Sequence, residues 1–222
     1  SWLEGSDGLG DYPFIAPVKP SEEPLSGYYN RLLPVKFVLR MLAARTLSSD
    51  SFDREEGWNI ERDETVDLSD LREDSWKTAS YAKDFLIRLD KVLNSDSGAS
   101  LSVGFPGGET PQKIAKSRER FVSQFVGGRR KKELSGSLFD MGFANMRMFL
   151  GMSTEEVWFT QFGWHFAMME NPVIDQTEGW EDGNRFSIEE VSFLLAHFKK
   201  NIPAEWDFMV SIADMIREGI DN

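Results

Sequence analysis

Between residues 113 and 132 the chain carries Lys113, Lys116, Arg118, Arg120, Arg129, Arg130, Lys131 and Lys132 against a single acid, Glu119, a local excess of seven positive charges. The chemistry such a run supports is ionic contact with a phosphodiester backbone, because Lys and Arg displace the counterions condensed on a polyanion. Helical spacing brings Lys113, Lys116 and Arg120 near one side, and the run Arg129 to Lys132 opens the segment that follows. Together they could meet neighbouring phosphates, a contact that positions a protein without reading bases. The whole chain nevertheless has a net charge of −12, which leaves −19 outside this window. Such asymmetry implies one face for an anionic partner and others that repel it or dock a basic protein. The competing reading of the basic run is a solvated face, or an internal partner for the acids between residues 50 and 74.

Covalent catalysis and metal chemistry find little material. The chain has two histidines, His165 and His197, each among aromatic or aliphatic neighbours on an expected helix, and neither has an i, i+4 partner of the kind that holds zinc. Both read as packing residues. Residues 104 to 111, GlyPheProGlyGlyGluThrPro, are glycine-rich but lack the lysine of a phosphate loop, and no nucleophile elbow or dinucleotide fingerprint occurs. With no cysteine, thiolate metal sites and thiol redox chemistry are excluded. The expectation is a protein that is not an enzyme and uses no cofactor or metal.

The elements that must position the basic residues follow from periodicity and caps. A chain of 222 residues, 41% hydrophobic and 13% aromatic, can fill a core. Residues 1 to 26, rich in Gly and Pro, read as an extended arm. A helix is expected over 28–47, with Pro34 confined to its first turn. Eleven acids between Ser48 and Asp74 mark a solvated loop. Asp70 and Glu73 read as a capping box opening a long helix over 70–94, and Leu101, Val103 and Phe105 alternate as a short strand. Thr110 and Pro111 open a helix to Gly127 that buries Ile114, Phe121, Val122, Phe125 and Val126. A second helix is expected over 131–143. Strands around Met146 and Val157 to Thr160 follow, and Thr160 caps a short helix through Met169. Ser187 with Glu190, and then Pro203, open two closing helices, the second burying Trp206, Met209, Val210, Ala213 and Ile216.

The run from Val157 to Asp175 resembles the wing strand and closing helix of archaeal winged-helix proteins, through Thr160, Gly163, Phe166, Ala167, Asn171, Pro172 and Asp175. The resemblance covers about residues 110 to 222. It implies a mainly α (α+β) fold with a small β-wing and a C-terminal helical pair. The expected division is an arm (1–26), an N-terminal helical domain that echoes a winged helix (27–109), a winged helix (110–175) and the helical pair (176–222). In such a fold the reading helix would end near Met148 and supply Ser135, Ser137, Asp140, Asn145 and Arg147, of which Asn145 and Arg147 suit base edges. Glu155 and Glu156 in the wing turn weigh against DNA contact there.

The functional expectation is non-specific binding of duplex DNA through a basic helix pair. The alternative is an adaptor subunit or homodimer that docks protein and not DNA, with Trp58 and Trp180 in acidic loops as interface anchors. No apolar run approaches a membrane span. The chain begins with Ser1, has no cysteine and shows no charged-then-apolar leader, and the expectation is a cytoplasmic fragment or a chain with a processed start.

Overall fold

The computed structural model describes residues 31–50, 52–59, 64–92, 100–130, 133–148, 154–177 and 185–219. The expected arm, Trp180, Lys131 and Lys132 lie outside them. The molecule is mainly helical, with a three-stranded antiparallel sheet and a separate two-stranded hairpin. Among the described residues no helix is long and apolar enough to cross a membrane.

Helix α1 (Leu32–Leu47) runs through the middle, and Pro34 sits in its first turn, where its missing N–H has no partner to lose. Leu33, Val35, Val38, Leu39, Leu42 and Ala43 are buried, which covers most of the helix circumference. Strand β1 (Val66–Asp67) leads directly into α2 (Leu68–Val92). The cap of α2 is Asp67 rather than the expected box of Asp70 and Glu73. Its Oδ1 accepts from Ser69 N at 2.7 Å and from the Ser69 hydroxyl at 2.6 Å, whereas Glu73 turns toward Trp76 and the next helix.

Residues 101–104 form two successive turns and not a strand. Val103 N donates to Ser100 O and Phe105 N to Ser102 O, while Asp90 on α2 takes Leu101 N at 2.9 Å. With that amide held by a side chain, no ladder forms, and Leu101 and Phe105 enter the core from a loop.

Thr110 caps α3 (Pro111–Phe121) by accepting from Lys113 N, and the helix widens into a π-helical turn over Val122–Val126 that ends at Gly127. Phe121, Phe125 and Val126 are buried as expected, but Ile114 is 41% exposed. The expected helix over 131–143 is replaced by a hairpin, β2 (Gly128–Arg130) with β3 (Glu133–Ser135), and a single turn, α4 (Ser137–Asp140). The reason is the neck. Gly127 and Gly136 have φ of 76° and 109°, and a Cβ on Gly136 would lie 2.4 Å from the Cα of Gly127, so the chain must double back here.

Strands β4 (Ala144–Met148) and β5 (Glu155–Phe159) form the second hairpin, and β1 adds to β5 through Val66 opposite Val157, giving the order β1-β5-β4. The sheet thus joins residues from both sides of position 109. Thr160 accepts from Gly163 N to start α5 (Gln161–Met168). A Cβ at Gly163 would meet the Phe143 carbonyl at 1.8 Å, so only glycine lets α5 seat against the sheet. Asn171 caps α6 (Pro172–Asp175), and Ser187 and Glu190 complete their capping box on α7 (Ile188–Asn201).

Helix α8 (Pro203–Arg217) departs from expectation. Trp206 and Met209 are half-buried, but Val210, Met215 and Ile216 are 38%, 53% and 75% exposed, since its second half leaves the body.

The closing helices are tied to α1 by a fully buried polar knot. Lys36 Nζ lies 2.9 Å from Glu190 Oε1 and donates to the carbonyls of Met169, at 2.8 Å, and Phe166. Glu190 Oε2 accepts from Asn171 Nδ2 and Ser187 N, both at 2.9 Å. Burial pushes the Lys36 ammonium down to about 8, against the opposing pull of Glu190.

Candidate nucleic-acid interface

The first turns of helix α3 are open to solvent, with every residue from Pro111 to Lys116 exposed. Lys113, Lys116 and Arg120 fall at i, i+3 and i+7, one stripe of about 10 Å along the axis. Lys113 makes only a loose pair with Glu109, at 3.7 Å on an exposed turn. Lys116 and Arg120 are exposed and meet no carboxylate among the described residues.

Arg129 and Arg130 follow immediately on β2, with Arg129 opposite Leu134 and Arg130 opposite Glu133. The basic set therefore lies on a helix and a hairpin rather than on two helices. The hairpin root is gripped from α2, where Arg72 donates to the Gly127 carbonyl from Nη2 at 2.8 Å and from Nε at 3.2 Å. Its Nη1 reaches Glu155 at the start of β5 at 3.5 Å, so one guanidinium links the root of the β2–β3 hairpin to the turn end of the β4–β5 hairpin.

Asn145 and Arg147 lie on β4 rather than on a reading helix, opposite Trp158 and Glu156. Arg147 Nε donates to Glu156 at 2.6 Å, with its side chain 14% exposed. That guanidinium is committed to holding the sheet. Ser137, also placed on the expected reading helix, is buried and donates to Phe125 O at 2.9 Å. Trp58 is half-buried, its ring stacked on Trp164 at 5.2 Å, so one face of the expected docking residue already packs inside the molecule.

Spacing left Arg118 out of the contact set. Its Nη2 lies 2.6 Å from Glu73 Oε2, and its guanidinium covers the Trp76 ring at 4.7 Å. Glu73 also takes Lys77 at 2.8 Å and Trp76 Nε1 at 3.2 Å, and these bonds, Lys77 first, hold its carboxyl below the usual carboxylate range. Arg118 and Arg72 both line a cleft of about 710 Å³ between α3, the start of α2 and the hairpin root. Nothing in the sequence marks this contact, since the partners are 45 residues apart.

The histidines have other surroundings. His197 is buried among Phe143, Phe162 and Phe193, its Nε2 donates to Met141 O at 2.7 Å, and burial lowers its pKa despite that bond. Among the described residues no cluster of three or more His, Cys, Asp or Glu could hold a metal.

No protein-family model matches this chain, and neither the curated proteins nor the solved structures contain a match to it.

Proposed function

We propose that this chain binds duplex DNA without sequence preference, through the outward stripe of α3 and the β2–β3 hairpin. The observation that carries the reading is the contrast in charge pairing. Arg40, Arg45, Arg72 and Arg147 are bound to acids of the body, whereas Lys116 and Arg120 stand exposed and meet no carboxylate among the described residues. Further basics follow at once on β2. Unpaired cations on one exposed face of a protein of net charge −12 favour a polyanion at that face and disfavour it elsewhere. The order of elements also supports a winged-helix-like reading, since α1, β1, α2 and α3 lead into a β4–β5 wing whose second strand pairs with β1. In that reading α3 takes the recognition position, and β2–β3 is an insertion between it and the wing. With Asn145 and Arg147 on the sheet, few groups remain for base edges, which fits backbone contact alone.

Anisotropy of a labelled duplex, titrated between about 50 and 200 mM salt, tests the proposal. The logarithm of affinity is expected to fall linearly with the logarithm of salt. Changing Lys113, Lys116 and Arg120 to Ala, or Arg129, Arg130, Lys131 and Lys132 to Ala, should flatten the slope by about 0.9 for each phosphate contact removed. Absence of binding at about 50 mM salt sinks the reading. The adaptor reading then gains, because Ile188, Met215 and Ile216 on the closing helices present apolar side chains to solvent. Light scattering would report a dimer directly.

A further inference from the structure

Arg118 has the geometry of an anion site with an anion already in it. Its guanidinium carbon lies 4.7 Å from the centre of the Trp76 ring and the group meets one oxygen of Glu73, while Lys77 holds the other oxygen of that carboxylate. Both partners remain open to water, with side chains 47% and 40% exposed, so the contact is an exchangeable surface pair and not a buried lock. The cleft beside it lies between α3 and the hairpin root, the two elements assigned above to the DNA backbone. Its second guanidinium, Arg72, is engaged by the Gly127 carbonyl and Glu155. Arg118 is thus the group in the cleft that a change at Glu73 can free.

We propose that Arg118 is a further phosphodiester site on the DNA-binding face, and that Glu73 occupies it as an internal anion which weakens binding of the duplex. Phosphate suits the guanidinium at least as well as a carboxylate, because its oxygens match the planar fork of donors. Trp76 holds the guanidinium against its ring before any ligand arrives. While the ion pair holds, Arg118 makes no phosphate contact, so the site opens only when Glu73 is neutralised or removed. The inference rests on the DNA-binding reading, and its test separates the two.

The test compares the salt dependence of duplex binding by the full chain and by Glu73→Gln, Arg118→Ala and the double variant. Glu73→Gln should steepen the slope by about 0.9, so that its affinity advantage over wild type shrinks about 3.5-fold between about 50 and 200 mM salt. Arg118→Ala alone should leave the slope unchanged, and the double variant, which restores the original net charge, should return to it. Glu73→Ala should repeat the gain if Glu73→Gln disturbs the indole contact. An unchanged slope in both Glu73 variants, while wild type binds, overturns this proposal and leaves the DNA-binding reading standing. A gain that persists in the double variant assigns the freed cation to Lys77 and overturns it equally. Inorganic phosphate that removes the gain at matched ionic strength assigns the site to free phosphate instead. Binding by Glu73→Gln but not by wild type supports it in its strongest form, and binding by neither at about 50 mM salt overturns both readings.

Discussion

The two hairpins have the same antiparallel pairing and opposite uses of charge. Hairpin β4–β5 is welded into the molecule, with Ala144, Met146, Val157 and Phe159 buried on one face and β1 closing its edge. Its acids are consumed internally, Glu156 by Arg147 and Glu155 by Arg72. Hairpin β2–β3 has three-residue strands and pairs with no third strand among the described residues. It hangs from a glycine neck and carries Arg129 and Arg130, and the sequence places Lys131 and Lys132 between its strands. A hairpin whose charges complete the fold has none to offer a ligand. The basic run therefore falls on the hairpin outside the sheet, while Arg147 of the hairpin in the sheet is spent on Glu156.

The largest effect that separates them is on stability. Phe159 is 1% exposed and meets Trp164 edge to face at 5.4 Å, so Phe159→Ala should cost about 3–5 kcal/mol and lower the melting of the whole molecule. Loss of sheet amide protection without loss of global stability would show that β4–β5 is an appendage, and the comparison would fail. At the other hairpin Gly136→Ala forces a side chain into backbone at φ 109°, against Gly127. About 2 kcal/mol of strain is expected there, with faster hydrogen exchange confined to residues 128–135. If exchange accelerates equally in β4 and β5, the neck is part of the core and the hairpins are not independent.

How much of this could be read from the chain depended on whether a signal was local. Thr110 with Pro111, Thr160, Ser187 with Glu190, and Pro203 each act on amides within one turn, and the helices they open are present. The helix expected over 131–143 is absent because the reversal permitted by the backbone angles of Gly127, Gly128 and Gly136 overrides the apolar spacing of Leu134, Leu138 and Phe139. Strand β1 has two residues, and its partner Val157 lies far along the chain, so nothing nearby predicts it. Lys36 looks like a solvated position on α1 until Glu190 closes over it. The same holds at the candidate site: the stripe on α3 follows from helical spacing, but the contacts that engage Arg147 and Arg118 cross 9 and 45 residues.

The smallest expected effect concerns acid, and it falls on one hairpin only. His197 donates to the carbonyl of Met141, just before β4, and Asn201 Nδ2 lies 3.1 Å from its other ring nitrogen. Burial lowers its pKa below the ordinary 6.5, so the folded state holds the ring neutral while the unfolded chain takes up a proton near 6.5. Its contribution to stability is therefore complete above 6.5 and is lost as pH falls from there through the folded value. Melting temperature should drop between about pH 7.5 and about pH 5.5, and His197→Gln should melt lower at the upper pH but drop less. Equal drops in the two proteins would remove His197 as the cause. Protonation turns a ring that accepts at Nδ1 into one that donates there, toward an amide Nδ2 that also donates. The strain is passed through Met141 to the root of β4, whereas no described contact joins β2–β3 to His197, and that hairpin should keep its exchange rates across the same range.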